Sequence, residues 1–387
     1  MTAATAKPAR RRRWPWLLAV LAAVLAVAAW WVDRQLEPKR LTAQVLARTG
    51  SALGLELSID GTPEYALRPE PRLLLPNLVV RQPGAGMPLL RAESAEVSLP
   101  WSTLRNPGNV VVTRVALVRP QLDMQALAQW QATRPAADDA TSLPTVTHGL
   151  KVSDGTVLAP TWALRGLELA LPELRPGFPA ALQASGRYQS DGLTLGFDAS
   201  LALAQAGPAS DYTLQASGRL EKGELDRPYT LAASGQFNAQ GTTPSLQANM
   251  LTLRSESPLP ALDAKGAVSS GDGAIGLSLG GRLLAWPADW PTLPAPLLAE
   301  RGVDFVIDYG GPADLSADAA LQLSQDSTRV DAVLALPELQ AWLADPAAGP
   351  LPPLQGKLQA PSLVVEGFTL EGVTVTLEDE EAPEAEP

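Results

Sequence analysis

Histidine, the side chain best suited to acid–base work near neutral pH, occurs once, at His148, beside Gly149. There is no cysteine, so the thiolate and imidazole sets that hold most structural and catalytic metals cannot be assembled. A Ser-His-Asp site built on His148 needs a nucleophile on a sharp strand-to-helix turn, and the sequence carries no such elbow. A lone loop histidine reads as an exposed spectator. Asp138, Asp139 and the acids of the C-terminal end stand in segments without the apolar neighbours that would shift a carboxyl toward general-acid work. Glu96 and Asp198 fall on the polar sides of alternating runs and are expected to be solvated. Residues 269–281 are rich in glycine but do not follow the strand–loop–helix pattern of a phosphate cradle, and no Gly-Lys-Ser/Thr occurs. No catalytic, metal-binding or cofactor-binding residue is assigned, no cofactor is expected, and the chain reads as a non-enzyme.

The elements that would carry any site are written in the composition. Of 387 residues, 46% are hydrophobic, enough for a sizeable core and too many for a disordered chain. Proline reaches 36 residues, where average usage would give about 19. That density suits sheet edges and turns rather than helix interiors. The net charge is −11. The five positive charges of residues 1–13 and the six acids of residues 378–387 nearly cancel, so the body between them is strongly acidic. Such a body has no electrostatic footprint for nucleic acid. The last ten residues read as an acidic disordered tail.

Residues 14–32 hold no charge. As a helix they would span about 28 Å, close to the hydrocarbon thickness of a bilayer. Trp14 and Trp16 mark one end and Trp30 and Trp31 the other, where indole rings prefer the headgroup zone. Arg10, Arg11, Arg12 and Arg13 precede the run, so residues 1–13 form a cytoplasmic basic tail and everything after the span is exported. The competing reading is a cleaved signal peptide, with Ala26-Val27-Ala28 as a small-x-small site. Against it, the apolar run continues to Val32 and tryptophans follow the cut.

Residues 37–53 carry Leu41, Val45, Leu46, Thr49, Ala52 and Leu53 as one stripe at helical spacing, and predict a short helix packed on the sheet that follows. From Leu55 the period changes to two. Leu55, Leu57 and Ile59 form one apolar side, and Ala95, Val97 and Leu99 another. Leu193, Leu195, Phe197, Ala199, Leu201 and Leu203 hold a side over 11 residues, and Val303, Phe305, Ile307 and Tyr309 do so again. Strict alternation predicts strands with one wet face and points to antiparallel pairing. Ser153-Asp154-Gly155, Ser190-Asp191-Gly192, Asn238-Ala239-Gln240-Gly241 and Gly271-Asp272-Gly273 supply turns. Short helical interruptions are expected after Asp123, in a turn carrying Ala126, Leu127 and Trp130, and over 295–301 and 338–343. Residues 134–147 have no period and read as a linker or long loop, the best candidate for a boundary between an N-terminal β region (33–133) and an antiparallel meander (148–377). Leu182-Gln183-Ala184-Ser185-Gly186-Arg187 recurs as Leu214-Gln215-Ala216-Ser217-Gly218-Arg219, which chance or repeated strand-ending glycines would explain equally well.

The order of these pieces resembles the AsmA family of bacterial inner-membrane proteins. A basic start and single membrane helix lead to a helix ending at Arg48-Thr49-Gly50 and a strand ending Ile59-Asp60-Gly61. Pro69-Glu70-Pro71-Arg72-Leu73 and Leu75-Pro76-Asn77-Leu78-Val79-Val80 follow. Leu89-Leu90-Arg91-Ala92-Glu93-Ser94-Ala95-Glu96-Val97-Ser98-Leu99 is similar in spacing and residue types to a strand of that family. The segment 110–117, the Arg119-Pro120 break and Lys151-Val152-Ser153-Asp154-Gly155-Thr156-Val157 continue the order, and 356–377 looks like the family's closing strand pair. The middle, about 180–350, matches only in periodicity, Ser51-Ala52-Leu53-Gly54 is extra, and the chain is short for a family whose long members bridge two membranes.

The resemblance implies a mainly β protein: an N-terminal transmembrane helix, then a long curved antiparallel sheet, groove- or taco-like, with a few short helices. It implies a single pass through the inner membrane, an N-terminus in the cytoplasm, and the bulk of the chain in the periplasm. The expected function is binding or transfer of phospholipid in an apolar groove, in outer-membrane assembly and envelope homeostasis. Ala95, Val97, Leu99, Leu193, Leu195, Phe197, Leu201, Leu203, Val303, Phe305 and Ile307 are the expected lining, because a curved sheet with few helices exposes more apolar surface than a monomer tolerates unless acyl chains fill it. The alternative is a scaffold or assembly factor that binds protein partners, with the same face closed on itself.

Overall fold

Period-two alternation of apolar and polar residues is what the backbone follows through most of the described residues. The computed structural model describes residues 54–377, apart from 67, 69, 99, 101–110, 134–144, 191, 241–242, 272, 289, 291–295, 313, 340–353 and 366–367. The span at 14–32, the helix at 37–53 and both charged ends therefore lie outside the described residues. Among those described, no helix is long and apolar enough to cross a membrane. The protein is mainly β and mostly antiparallel.

Two compact units are present. The first holds the described residues up to Gly207 together with Gly218–Asp226. Its strands are β1 (Glu56–Ile59), β2 (Glu64–Ala66), β3 (Arg72–Arg81), β4 (Pro88–Ser98), β5 (Val111–Val112), β6 (Arg114–Val118), β7 (Gln121–Asp123), β8 (Thr145–Val146), β9 (Leu150–Leu158), β10 (Ala163–Leu171), β11 (Ala180–Ser190) and β12 (Leu193–Leu203). Residues of β13 (Ala209–Lys222) and β14 (Leu225–Asn238) fall in both units. The second unit continues with β15 (Ser245–Ser255), β16 (Leu262–Gly271), β17 (Ala274–Leu283), β18 (Val303–Pro312), β19 (Asp318–Gln325), β20 (Thr328–Ala335), β21 (Leu354–Val365) and β22 (Phe368–Leu377).

In the first unit β3 pairs with β1, β2 and β4, and Leu73, Leu75, Leu78 and Val80 point with Leu89, Ala92, Ala95 and Val97 into one buried cluster. Each such leucine contributes about 1.5–3 kcal/mol by leaving water. Helix α1 (Met124–Ala132) covers the cluster with Ala126 and Trp130. The expected cap is in place: Asp123 Oδ1 accepts from the Ala126 N–H at 2.8 Å.

Three features of this unit differ from expectation. Strand β9 runs parallel to β6 and β7, because α1 and the segment after it carry the chain across as a crossover connection. At the end of the expected linker, Thr145–Val146 is itself a strand, parallel to β5, while residues 134–144 lie outside the described residues. Ser153-Asp154-Gly155 is not a turn but an irregularity inside β9. Asp154 takes a left-handed φ of 53°, donates its N–H to Glu168 Oε1 at 2.8 Å, and the register against β10 shifts there.

In the second unit, β14 to β22 pair each with the next in antiparallel fashion. The hairpin at Gly271-Asp272-Gly273 is as expected, with Gly273 at φ 78°. The glycines of the echoed Ala-Ser-Gly segments lie inside strands rather than at their ends. A side chain on Gly235 would strike the Gln247 carbonyl, and the β14–β15 register shifts at that point. Such glycines bend a strand where backbones approach closely. The helix expected over 295–301 is absent in its described part, where residues 296–300 form turns. Residues 336–339 are helical, and the rest of the helix expected over 338–343 lies outside the described residues apart from Glu338 and Leu339.

Candidate apolar binding face

In the first unit the alternation of β12 sets Leu193, Leu195, Phe197, Leu201 and Leu203 on one side. Their antiparallel partners on β11 are Ser190, Tyr188, Gly186, Leu182 and Ala180. Leu164 and Leu169 of β10 extend the rows toward Val157 and Val152 of β9. The five β12 side chains are all half-buried, and none belongs to a buried cluster. Trp162 and Tyr188 close one corner with ring centroids 5.8 Å apart. On the reverse side Asp198 is exposed opposite Ser185.

In the second unit the equivalent side is built of cross-strand rows. Leu253, Leu262, Leu283 and Val303 form one, and Leu251, Ala264, Gly281, Phe305 and Leu323 the next. Leu262, Leu283, Val303, Phe305 and Leu323 are a closed core, with Trp286 and Trp290 packed on them. Further along the same strands the side opens, and Val268 and Leu246 are 38% and 45% exposed.

The reverse side of the second unit is polar and charged. Arg254 grips Asp263 at 2.7 Å, Arg282 meets Asp304 at 3.3 Å, and Arg329 meets Asp331 at 3.0 Å. The Arg254 guanidinium, helped by the Thr252 hydroxyl, holds the Asp263 carboxyl below its usual range. These pairs are about half exposed and each stabilises little. A trough of about 720 Å³ lies among them, lined by Met250, Lys265, Gly280, Arg282, Asp304 and Val306 together with other strand residues.

His148 is exposed, with Nδ1 3.2 Å from the Thr147 hydroxyl. Among the described residues no group of three or more His, Asp or Glu side chains is placed to hold a metal ion.

The expected lining residues divide into three groups. Leu193, Leu195, Phe197, Leu201, Leu203 and Ile307 are half-buried on apolar sides. Ala95, Val97, Val303 and Phe305 are instead packed inside closed cores, because α1 covers the first pair and the Trp286–Trp290 segment the second. Leu99 and the interface residues Arg10, Arg11, Arg12, Arg13, Trp14, Trp16, Trp30 and Trp31 lie outside the described residues. Sequence reasoning missed Trp162, Tyr188, Trp286 and Trp290. Aromatic residues flanking a glycine- and leucine-rich strand were the available signal. Compared with known proteins, the chain matches no family model, no curated protein and no solved structure.

Proposed function

We propose that this chain is anchored in the inner membrane, faces the periplasm, and binds or transfers phospholipid along its apolar sheet faces, in the manner of the AsmA family it resembles. Its service would be outer-membrane assembly and envelope homeostasis. The observation that carries the reading is the half-buried row Leu193, Leu195, Phe197, Leu201 and Leu203, continued by Leu182, Leu164 and Leu169 on neighbouring strands. A row of that kind gains stability from any apolar occupant that displaces water, at about 25 cal/mol per Å². An acyl chain fits because it asks nothing of backbone groups already paired in the sheet.

Native mass spectrometry of the full chain after gentle detergent extraction tests this. Near-stoichiometric phospholipid is expected, and its absence overturns the reading. The protein-binding scaffold then leads, a reading supported by the closed cores around Ala95, Val97, Val303 and Phe305.

A further inference from the structure

Leu283 and Val303 face each other as the last rung between β17 and β18, yet the chain does not turn there. It leaves for residues 284–302 and returns, and two tryptophans on this excursion sit on the apolar core. Trp286 and Trp290 meet edge to face with ring centroids 5.1 Å apart. Trp290 Nε1 donates to the Pro258 carbonyl at 2.9 Å, and the Trp286 N–H donates to the Ala299 carbonyl at 3.2 Å. The returning limb is pinned by Gln325, which is 7% exposed. Its Oε1 accepts from the Leu298 N–H at 2.8 Å, and its Nε2 donates to the Leu298 carbonyl at 3.0 Å and the Gly302 carbonyl at 3.3 Å. A glutamine satisfied on both ends of its amide fixes a loop firmly, since losing the Leu298 N–H strands its buried Oε1.

The excursion closes one end of the face and leaves the other open. Along β16, Leu262 is 9% exposed and Val268 is 38% exposed. The distance between them is about 20 Å at strand rise. Leu277 and Leu279 of β17 border the same path, and β16 is hydrogen-bonded on both edges, to β15 and β17. A peptide laid there would bring amide groups with no partner, whereas a hydrocarbon chain brings none.

We infer that Trp286 and Trp290 are specificity-determining residues: an end wall that stops an acyl chain lying along β15–β17 and sets the chain length this face accepts. The inference rests on the lipid-binding reading above. Gln325 is a positioning residue that holds the wall in place.

The test offers the full-length protein in detergent to phospholipid vesicles holding saturated acyl chains of several lengths in equal amounts, and reads the bound lengths by mass spectrometry. Trp286→Ala and Trp290→Ala are expected to raise the ratio of longer to shorter bound chains by about fourfold for each methylene newly accommodated. Trp290→Phe, which keeps a ring, should shift it far less. Val268→Trp changes an exposed side chain at the open end, and should move the preference toward shorter chains even if the alanine variants do not fold. Wild-type length profiles in the folded variants, Val268→Trp included, overturn the end wall while leaving lipid binding intact. A wild-type protein that takes up no phospholipid overturns both.

Discussion

The ring of Phe197 lies across Gly186, its register partner on the neighbouring strand, so that a methyl group at Gly186 would stand 3.2 Å from Phe197 Cζ. The glycine gives the ring a seat, and the ring shields backbone that would otherwise be wet. Gly281 is bare for a harder reason. A methyl group there would meet the Asp263 carbonyl at 2.2 Å and Ala264 Cα at 2.6 Å.

Two alanine substitutions should therefore behave differently. Gly186→Ala needs only a small rotation of an aromatic ring and is expected to cost under about 1 kcal/mol. Gly281→Ala must push backbone against backbone and is expected to cost about 2–3 kcal/mol. Urea unfolding midpoints of the two variants check this, and equal midpoints would show that the β16–β17 contact is looser than described.

Charge introduced on the apolar sides should separate open face from closed core. Leu201→Asp alters a half-buried side chain that can stay hydrated, and should cost about 1 kcal/mol while reducing bound lipid. Phe305→Asp buries an unpaired carboxylate and should cost several kcal/mol. The pair of melting temperatures decides, and a collapse of the Leu201 variant would mean that its face is packed.

Two of the apolar runs were legible from period two alone. The run 193–203 is β12 to the residue, and Val303, Phe305 and Tyr309 alternate with exposed neighbours as written. Asp123 was legible as a cap because its acceptor and the N–H groups it satisfies are local. Contacts across long separations were not. Gln325 clamps residues more than twenty positions away, and nothing around it is periodic. The segment 295–301 reads as a helix because leucine and alanine favour one, but Pro296 and the Gln325 clamp hold its described part, 296–300, in turns. Asp154-Gly155 has turn chemistry, and the glycine-tolerated bend was spent on an irregular strand.

Asp263 gives a pH signature. Held below its ordinary 3.8 by Arg254, it binds its proton less readily in the folded protein than in the unfolded chain. Its contribution to stability is therefore complete above 3.8 and fades only as pH falls through the lower folded value. A carboxyl-carbon titration by NMR should place its midpoint below 3.8, and Arg254→Met should bring it back toward 3.8. A midpoint unmoved by that change would mean the ion pair is not formed in solution.

The proposed anchoring predicts topology. A reporter active only in the periplasm, fused after Pro387, should be active, and the N-terminus should stay uncleaved. N-terminal sequencing that starts near Ala29 would show a removed signal peptide instead.

From β14 to β22 each strand bonds to the next in sequence, so the partner of each new strand has always just been made. A chain emerging from synthesis end first can therefore lay down this sheet one strand at a time, each new strand closing on the strand made just before it. The parallel contacts of β9 impose the opposite rule. β6 and β7 must wait, with one edge bare, until the crossover is complete, and that interval is the step at which a nascent chain is most exposed to mispairing.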